Sequence, residues 1–247
     1  MIALTGVLFV LLLLVCGKHG ITIFASLVGS FIGLLAVMML IADEFNPIVV
    51  GLLFSVGLLA LAIYPNTKNP HIQHAAFFSS LMVIGALFLV IWGLVHFSYS
   101  HGFSVEDTED IEQFITSVGI SFPEIQMVVM LFSSLGAISE ASIAISSGVY
   151  EILKYDPKIP NNQLFYAGMS IGYKNISTAL NTLLFGFFGS YLSLGLWFIQ
   201  LHYSWHKVIN NAIFVSAILE LLVSFLGVIL VMFVTNLYIL GKRKKLA

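Results

Sequence analysis

The sequence predicts an all-α integral membrane protein, built as a single bundle of about seven transmembrane helices. Of its 247 residues, 59% are hydrophobic and only 9% are charged, whereas roughly a quarter of the residues in a soluble domain are charged. Apolar stretches recur along the whole chain, and most of them can cross a hydrocarbon core about 30 Å thick. No polar stretch between them is long enough for a second folded domain, so one domain is expected over residues 1–247.

The seven predicted spans are separated by short polar turns. The first span is short and should pack against its neighbours. Pro47 suits the first turn of a helix, while Pro65 and Pro70 cannot continue a span and mark the next turn. The predicted spans lie near residues 2–16, 21–42, 47–63, 75–97, 124–150, 176–201 and 210–240.

Residues 98–123 form the one long link, which is acidic and carries apolar residues at helical spacing. Such spacing predicts a short amphipathic helix lying over the bundle. The apolar positions are Ile111, Phe114, Ile115 and Val118.

The distribution of positive charge predicts an external N-terminus and a cytoplasmic C-terminus. With an odd number of spans, eight basic residues fall on the cytoplasmic side and only Lys207 falls outside, which follows the positive-inside rule. The eight are Lys18, Lys68, Lys154, Lys158, Lys242, Arg243, Lys244 and Lys245.

The segment 164–200 is too long for one straight span of about 20 residues. We expect its first part, residues 164–176, to be broken or partly interfacial. Glycine and polar residues at 172–175 favour a break of the kind that lines transporter sites. An amphipathic stretch on the inner surface, with Lys174 reaching the headgroups, is an equal alternative.

Two carboxylates, Glu140 and Glu220, lie near the middle of predicted spans. An ionisable side chain in hydrocarbon is costly, so each should face the bundle interior or a wet cavity. Helical periodicity puts Ser133 and Ser147 on the face of Glu140, and Ser224 on the face of Glu220. The sequence therefore predicts that polar faces of these two spans meet.

A third polar face carries Lys174, Thr178 and Asn181 on the sixth span. Carboxylates would supply charge, and amide and hydroxyl groups would complete a proton or cation site. The alternative is structural, with protonated carboxyls hydrogen-bonded between helices. The predicted transport site comprises Glu140, Glu220, Asn181, Lys174, Thr178, Ser133 and Ser147.

Other signals are weaker. Gly168, Ser170 and Gly172 match the Gly-x-Ser-x-Gly pattern of serine hydrolases, but no strand precedes them as a nucleophile elbow requires. A phosphate-binding loop pattern is absent, and we expect neither a cofactor nor a resident metal. No basic run suggests nucleic acid as a partner, which leaves the lipid bilayer and other membrane chains.

Three motifs follow one another in the C-terminal half: LGAISEASIAISSGVYEI, LFYAGMSIGYKNISTALNTLLFGFFGSYLSL and ILELLVSFLGVILVMFVT. Over residues 130–236 the chain resembles the YibE/F-like family of bacterial multispanning membrane proteins. Its small size is similar to the short YibF-type members. The resemblance implies a bacterial plasma-membrane protein with a longer YibE-type subunit as partner, and a homo-oligomer is the alternative.

The chain departs from the family pattern at two places. It has Glu140 where the family usually has Asp, and Gly172-Tyr173-Lys174 where the family tends to have Gly-Arg-Asp. One acidic group is therefore missing, which the resemblance implies a partner could supply. The Asn181-Thr182-Leu183 and Glu220 positions match as they stand.

From these observations we expect a non-enzymatic permease or transporter subunit, coupled to protons or a cation. The alternative is a non-transporting assembly or regulatory subunit that docks a YibE-type partner. An intramembrane hydrolase using Ser170 is a third hypothesis.

Overall fold

A computed structural model describes residues 2–98 and 121–243. Within these ranges the chain forms eight α-helices and no strand. The helices are α1 (Ile2–Cys16), α2 (Lys18–Ala42), α3 (Pro47–Ile63), α4 (Pro70–Ser98), α5 (Phe122–Tyr155), α6 (Asn161–Gln200), α7 (Trp205–Ile209) and α8 (Ala212–Lys242). A single 3₁₀ turn, Tyr64–Asn66, follows α3.

The predicted all-α polytopic bundle is confirmed. Six helices in the described ranges are long and apolar enough to cross a membrane: α2, α3 with its 3₁₀ turn, α4, α5, α6 and α8. The shorter apolar α1 adds a seventh stretch. The amphipathic helix predicted in the 98–123 link falls almost wholly outside the described residues.

Two of the described helices, α3 and α8, begin with an asparagine that caps the first turn. The side chain of Asn46 accepts a hydrogen bond from the Val49 amide, with Pro47 in the first turn. Asn211 does the same for Phe214 at the start of α8. These N-caps satisfy amides that have no partner within the helix, which matters most where no water is at hand.

The core lies among α3, α4, α5 and α8. Leu59, Leu87, Ile138 and Val231, one from each helix, are fully buried in a single apolar cluster. Gly227 of α8 lets α4 and α5 approach, because a Cβ there would meet methyl groups of both Ile138 and Leu87 at 2.9 Å. The helix α5 is the central one, with 56% of its most apolar stretch buried.

The helix α6 is continuous over 40 residues, so the break predicted at 172–175 is wrong. The glycines serve close packing instead. A Cβ on Gly172 would collide with the thioether of Met232, and one on Gly168 would lie 2.5 Å from Oδ1 of Asn236. Asn236 also donates a 2.8 Å hydrogen bond to the Phe165 carbonyl. Small residues thus bring α6 and α8 together, as is common between membrane helices.

The same geometry explains the Gly-x-Ser-x-Gly pattern. Ser170 is exposed on a continuous helix, without the strand-to-helix elbow that a nucleophilic serine needs.

The helix α6 is longer than a membrane span requires. At 1.5 Å per residue it is about 60 Å long, twice the hydrocarbon thickness. A partly interfacial N-terminal part of α6 stays a prediction.

Candidate functional site

The carboxylate of Glu220 meets a neighbouring helix inside the bundle. Glu220 lies eight residues into α8 and is half-buried. The hydroxyl of Ser133 in α5 donates a hydrogen bond to its Oε1 atom. The predicted approach of the two polar faces is therefore found at this pair.

A cavity of about 250 Å³ opens beside this pair, between α5, α6 and α8. Among the described residues, its polar lining consists of one carboxylate and five hydroxyl groups, without a basic side chain. The polar residues are Ser133, Thr182, Ser190, Tyr191, Glu220 and Ser224. Leu183, Gly186, Phe187, Ala217 and Leu221 complete the wall.

The chemistry of this lining is that of hard oxygen ligands. Hydroxyl oxygens can accept a bond from a bound species or donate one to a carboxylate, as Ser133 does. Carboxylate, hydroxyl and carbonyl oxygens suit a proton or a hard cation rather than a soft metal. One carboxylate supplies at most a single negative charge, which a proton or a monovalent cation balances.

The other predicted site residues do not line this cavity. Glu140 is exposed, meaning that the rest of the described chain does not cover it, and Ser147 is partly buried. Lys174, Thr178 and Asn181 of α6 are exposed as well. The structure thus brings Ser133 and Glu220 together and leaves the remaining five outside.

The direction in which α6 packs accounts for this difference. Gly168, Gly172 and Ala179 are buried, and the two glycines meet α8. Two residues further along a helix lies about 200° round the axis, nearly on the opposite side. Lys174 lies two residues after Gly172, and Asn181 lies two residues after Ala179. Both therefore face away from α8.

Three cavity residues were missed at the sequence level: Thr182, Ser190 and Tyr191. All three belong to α6, on the side that also bears Leu183, Gly186 and Phe187. The two glycines at 168 and 172 could have indicated these residues. The helix face on which the glycines lie also carries Gly186 and Ser190 further along the chain. Ser224, one turn from Glu220, was on the predicted face.

A second polar layer lies deeper in the bundle. Thr235 of α8 donates a 2.8 Å hydrogen bond to the buried hydroxyl of Ser79 in α4. Ser139 and Ser142 of α5 instead bond carbonyls of their own helix. The bond between Thr235 and Ser79 joins α8 to α4, which is the role that the structural alternative assigned to intramembrane polar groups.

Fold and cavity together define a multispanning helical membrane protein with a carboxylate inside its bundle. The model of a family described as YibE/F-like protein matches residues 4–242, and the chain belongs to that family. The resemblance seen in the C-terminal half is confirmed and extends over nearly the whole chain. No curated relative and no solved structure matches.

Proposed function

We propose that this protein is a membrane permease or transporter subunit, in which the cavity at Glu220 binds the coupling proton or cation. The observation that carries the proposal is the carboxylate of Glu220, held by Ser133 at the edge of a hydroxyl-lined cavity. The transported solute is left unassigned.

The energetic cost of the carboxylate supports a functional role. A charged side chain at the centre of a membrane helix costs about 2.5–3.5 kcal/mol on insertion. Hydroxyl and amide side chains join helices at lower cost, as Thr235 and Ser79 do here. A bundle that already has such contacts gains little structurally from a carboxylate, whereas a binding site needs its charge.

The location of the cavity supports the same proposal. It lies where α6, the least covered of the three helices, meets the packed pair α5 and α8: only 6% of the most apolar stretch of α6 is buried. A helix with few packing contacts can shift at a small cost in free energy. Movement of α6 would open and close the cavity while Ser133 and Glu220 keep their positions in the core.

The proposal is tested with purified protein in lipid vesicles that contain a pH-sensitive dye. After imposing a sodium or potassium gradient, we expect the wild type to change the internal pH by exchanging cations for protons. Glu220→Gln should abolish this change, because the amide keeps the shape but carries no charge.

Glu151→Gln is the matched control, since Glu151 is an exposed glutamate near the end of α5 and should not alter the flux. An unchanged flux in Glu220→Gln would disprove the role of the cavity. Absence of any flux in the wild type would disprove cation–proton exchange by this chain alone.

A second candidate function is a non-transporting assembly or regulatory subunit. It is favoured by Glu140 and Lys174, two exposed charged residues on membrane helices, which a partner chain would cover. A related YibE-type subunit is the partner that this alternative proposes. In either case we propose residence in the bacterial plasma membrane with a cytoplasmic C-terminus.

A further inference from the structure

Two opposite charges on neighbouring membrane helices have no partner within the described chain. Glu140 of α5 and Lys174 of α6 are both exposed. Neither makes a hydrogen bond or an ion pair with any residue in the ranges 2–98 and 121–243. Within the described part of the chain, neither charge is compensated.

Both residues border the junction between α5 and α6. Seven residues before Glu140, on the same face, Ser133 lines the cavity that α6 closes. Eight residues after it, Gly148 lies against Ile171 of α6. Lys174 follows Ile171 by three residues, one turn along the same side of α6. The two charges thus belong to one surface of the molecule.

Their depths in the bundle are similar. The two helices run antiparallel, and the contact of Gly148 with Ile171 sets their register. Counting back along both helices puts Lys174 opposite Ile145, about 7–8 Å along the axis from Glu140. The long side chains of lysine and glutamate can bridge that offset between two molecules.

Lipid alone does not satisfy both groups. Lys174 can extend toward the headgroups. Glu140, however, lies near the middle of the 34-residue α5, 15 residues before its end, which is too far from the headgroups for a glutamate side chain to reach them. A protein surface that offers a positive charge at that depth fits it best.

We propose that this surface is a two-fold contact between two copies of the chain, in which Glu140 of each copy pairs with Lys174 of the other. A two-fold contact is self-complementary: residue i of one copy meets residue j of the other, and j meets i. Copies inserted in the same direction have these residues at matching depths. The surface carries both members of the pair, so it fits its own copy.

The test exploits this reciprocity. Cys16, the single cysteine of the chain, is exposed and accepts a donor or acceptor fluorophore, so that energy transfer in lipid vesicles reports association. We expect transfer for the wild type, and none above background for Glu140→Lys or Lys174→Glu alone. Each single variant would set like charges against each other twice.

Mixing the two single variants should restore energy transfer, because every contact in the mixed dimer again joins a lysine and a glutamate. The double variant Glu140→Lys/Lys174→Glu should also associate, which shows that the changed chains still fold. The proposal would be overturned if the mixture failed to associate. That result would mean that these residues pair within one chain or with a different protein. Undiminished transfer in either single variant would overturn it as well.

Discussion

The two intramembrane glutamates of this protein occupy opposite surroundings. Glu220 contacts Ser133 beside a hydroxyl-lined cavity, whereas Glu140 is exposed and unpaired in the described chain. Yet Ser133 and Glu140 share one face of α5, only two turns apart. Depth in the membrane and helix face therefore do not fix the role of a carboxylate. The side chain that it meets does: the hydroxyl of Ser133 in α5 bonds Glu220, whereas no residue of the described chain bonds Glu140.

The largest effect should come from disturbing the contact that orients α6. Gly172→Leu would drive a side chain into Met232, and overpacking of this kind costs about 1–3 kcal/mol or more. We expect a clear loss of thermal stability in detergent and a loss of the cation-dependent pH change. Gly189→Leu, on the same helix with open space around it, should keep both. A stable and active Gly172→Leu variant would mean that α6 does not pack on α8 in this way.

A smaller effect should follow from removing the hydroxyl that holds Glu220. A hydrogen bond to a charged group contributes about 1.5–3 kcal/mol, so Ser133→Ala should weaken cation-dependent exchange in vesicles about ten- to a hundredfold. Ser134→Ala is the matched control, because the Ser134 hydroxyl donates to the Leu131 carbonyl of its own helix and does not line the described wall of the cavity. Equal exchange by the two variants would remove Ser133 from the site.

The smallest effect should distinguish substitutions at two neighbouring residues of α6, Thr182 and Asn181. Thr182 lines the cavity and Asn181 does not. The Thr182 hydroxyl donates its proton to the Thr178 carbonyl, which leaves its oxygen to contact a cation. We expect Thr182→Ala to lower the apparent affinity for the coupling cation about two- to tenfold, on the scale of one neutral polar contact of about 0.5–1.5 kcal/mol. Asn181→Ala should leave that affinity unchanged in a titration of the flux. If Asn181→Ala lowered the affinity and Thr182→Ala did not, the site would lie on the face of α6 that bears Asn181, as sequence periodicity favoured.

Much of the fold followed from the sequence because spans and their ends have local causes. Apolar length predicted the spans, and Pro47 predicted where one helix begins, whereas Pro70 was expected in a turn and instead opens α4. Periodicity put Glu220 and Ser133 each on the polar face of an otherwise apolar helix, but it did not identify the two as partners.

The orientation of α6 could not be predicted in the same way. Periodicity groups Lys174 with Asn181 but does not say which side of the helix meets a neighbour. Gly172 is compatible with a break or with close packing, and the choice depends on Met232, which is 60 residues further along the chain. The cavity residues on α6 were missed for that reason.

The central claim is that Glu220, and not Glu140, binds the coupling ion. A hydrophobic carbodiimide, which attacks carboxyl groups in apolar surroundings, can be applied to the protein in vesicles, and both glutamates followed by mass spectrometry. We predict that sodium or potassium slows modification of Glu220 and leaves that of Glu140 unchanged. Protection of Glu140 instead, or no protection of Glu220 by either cation, would contradict the claim.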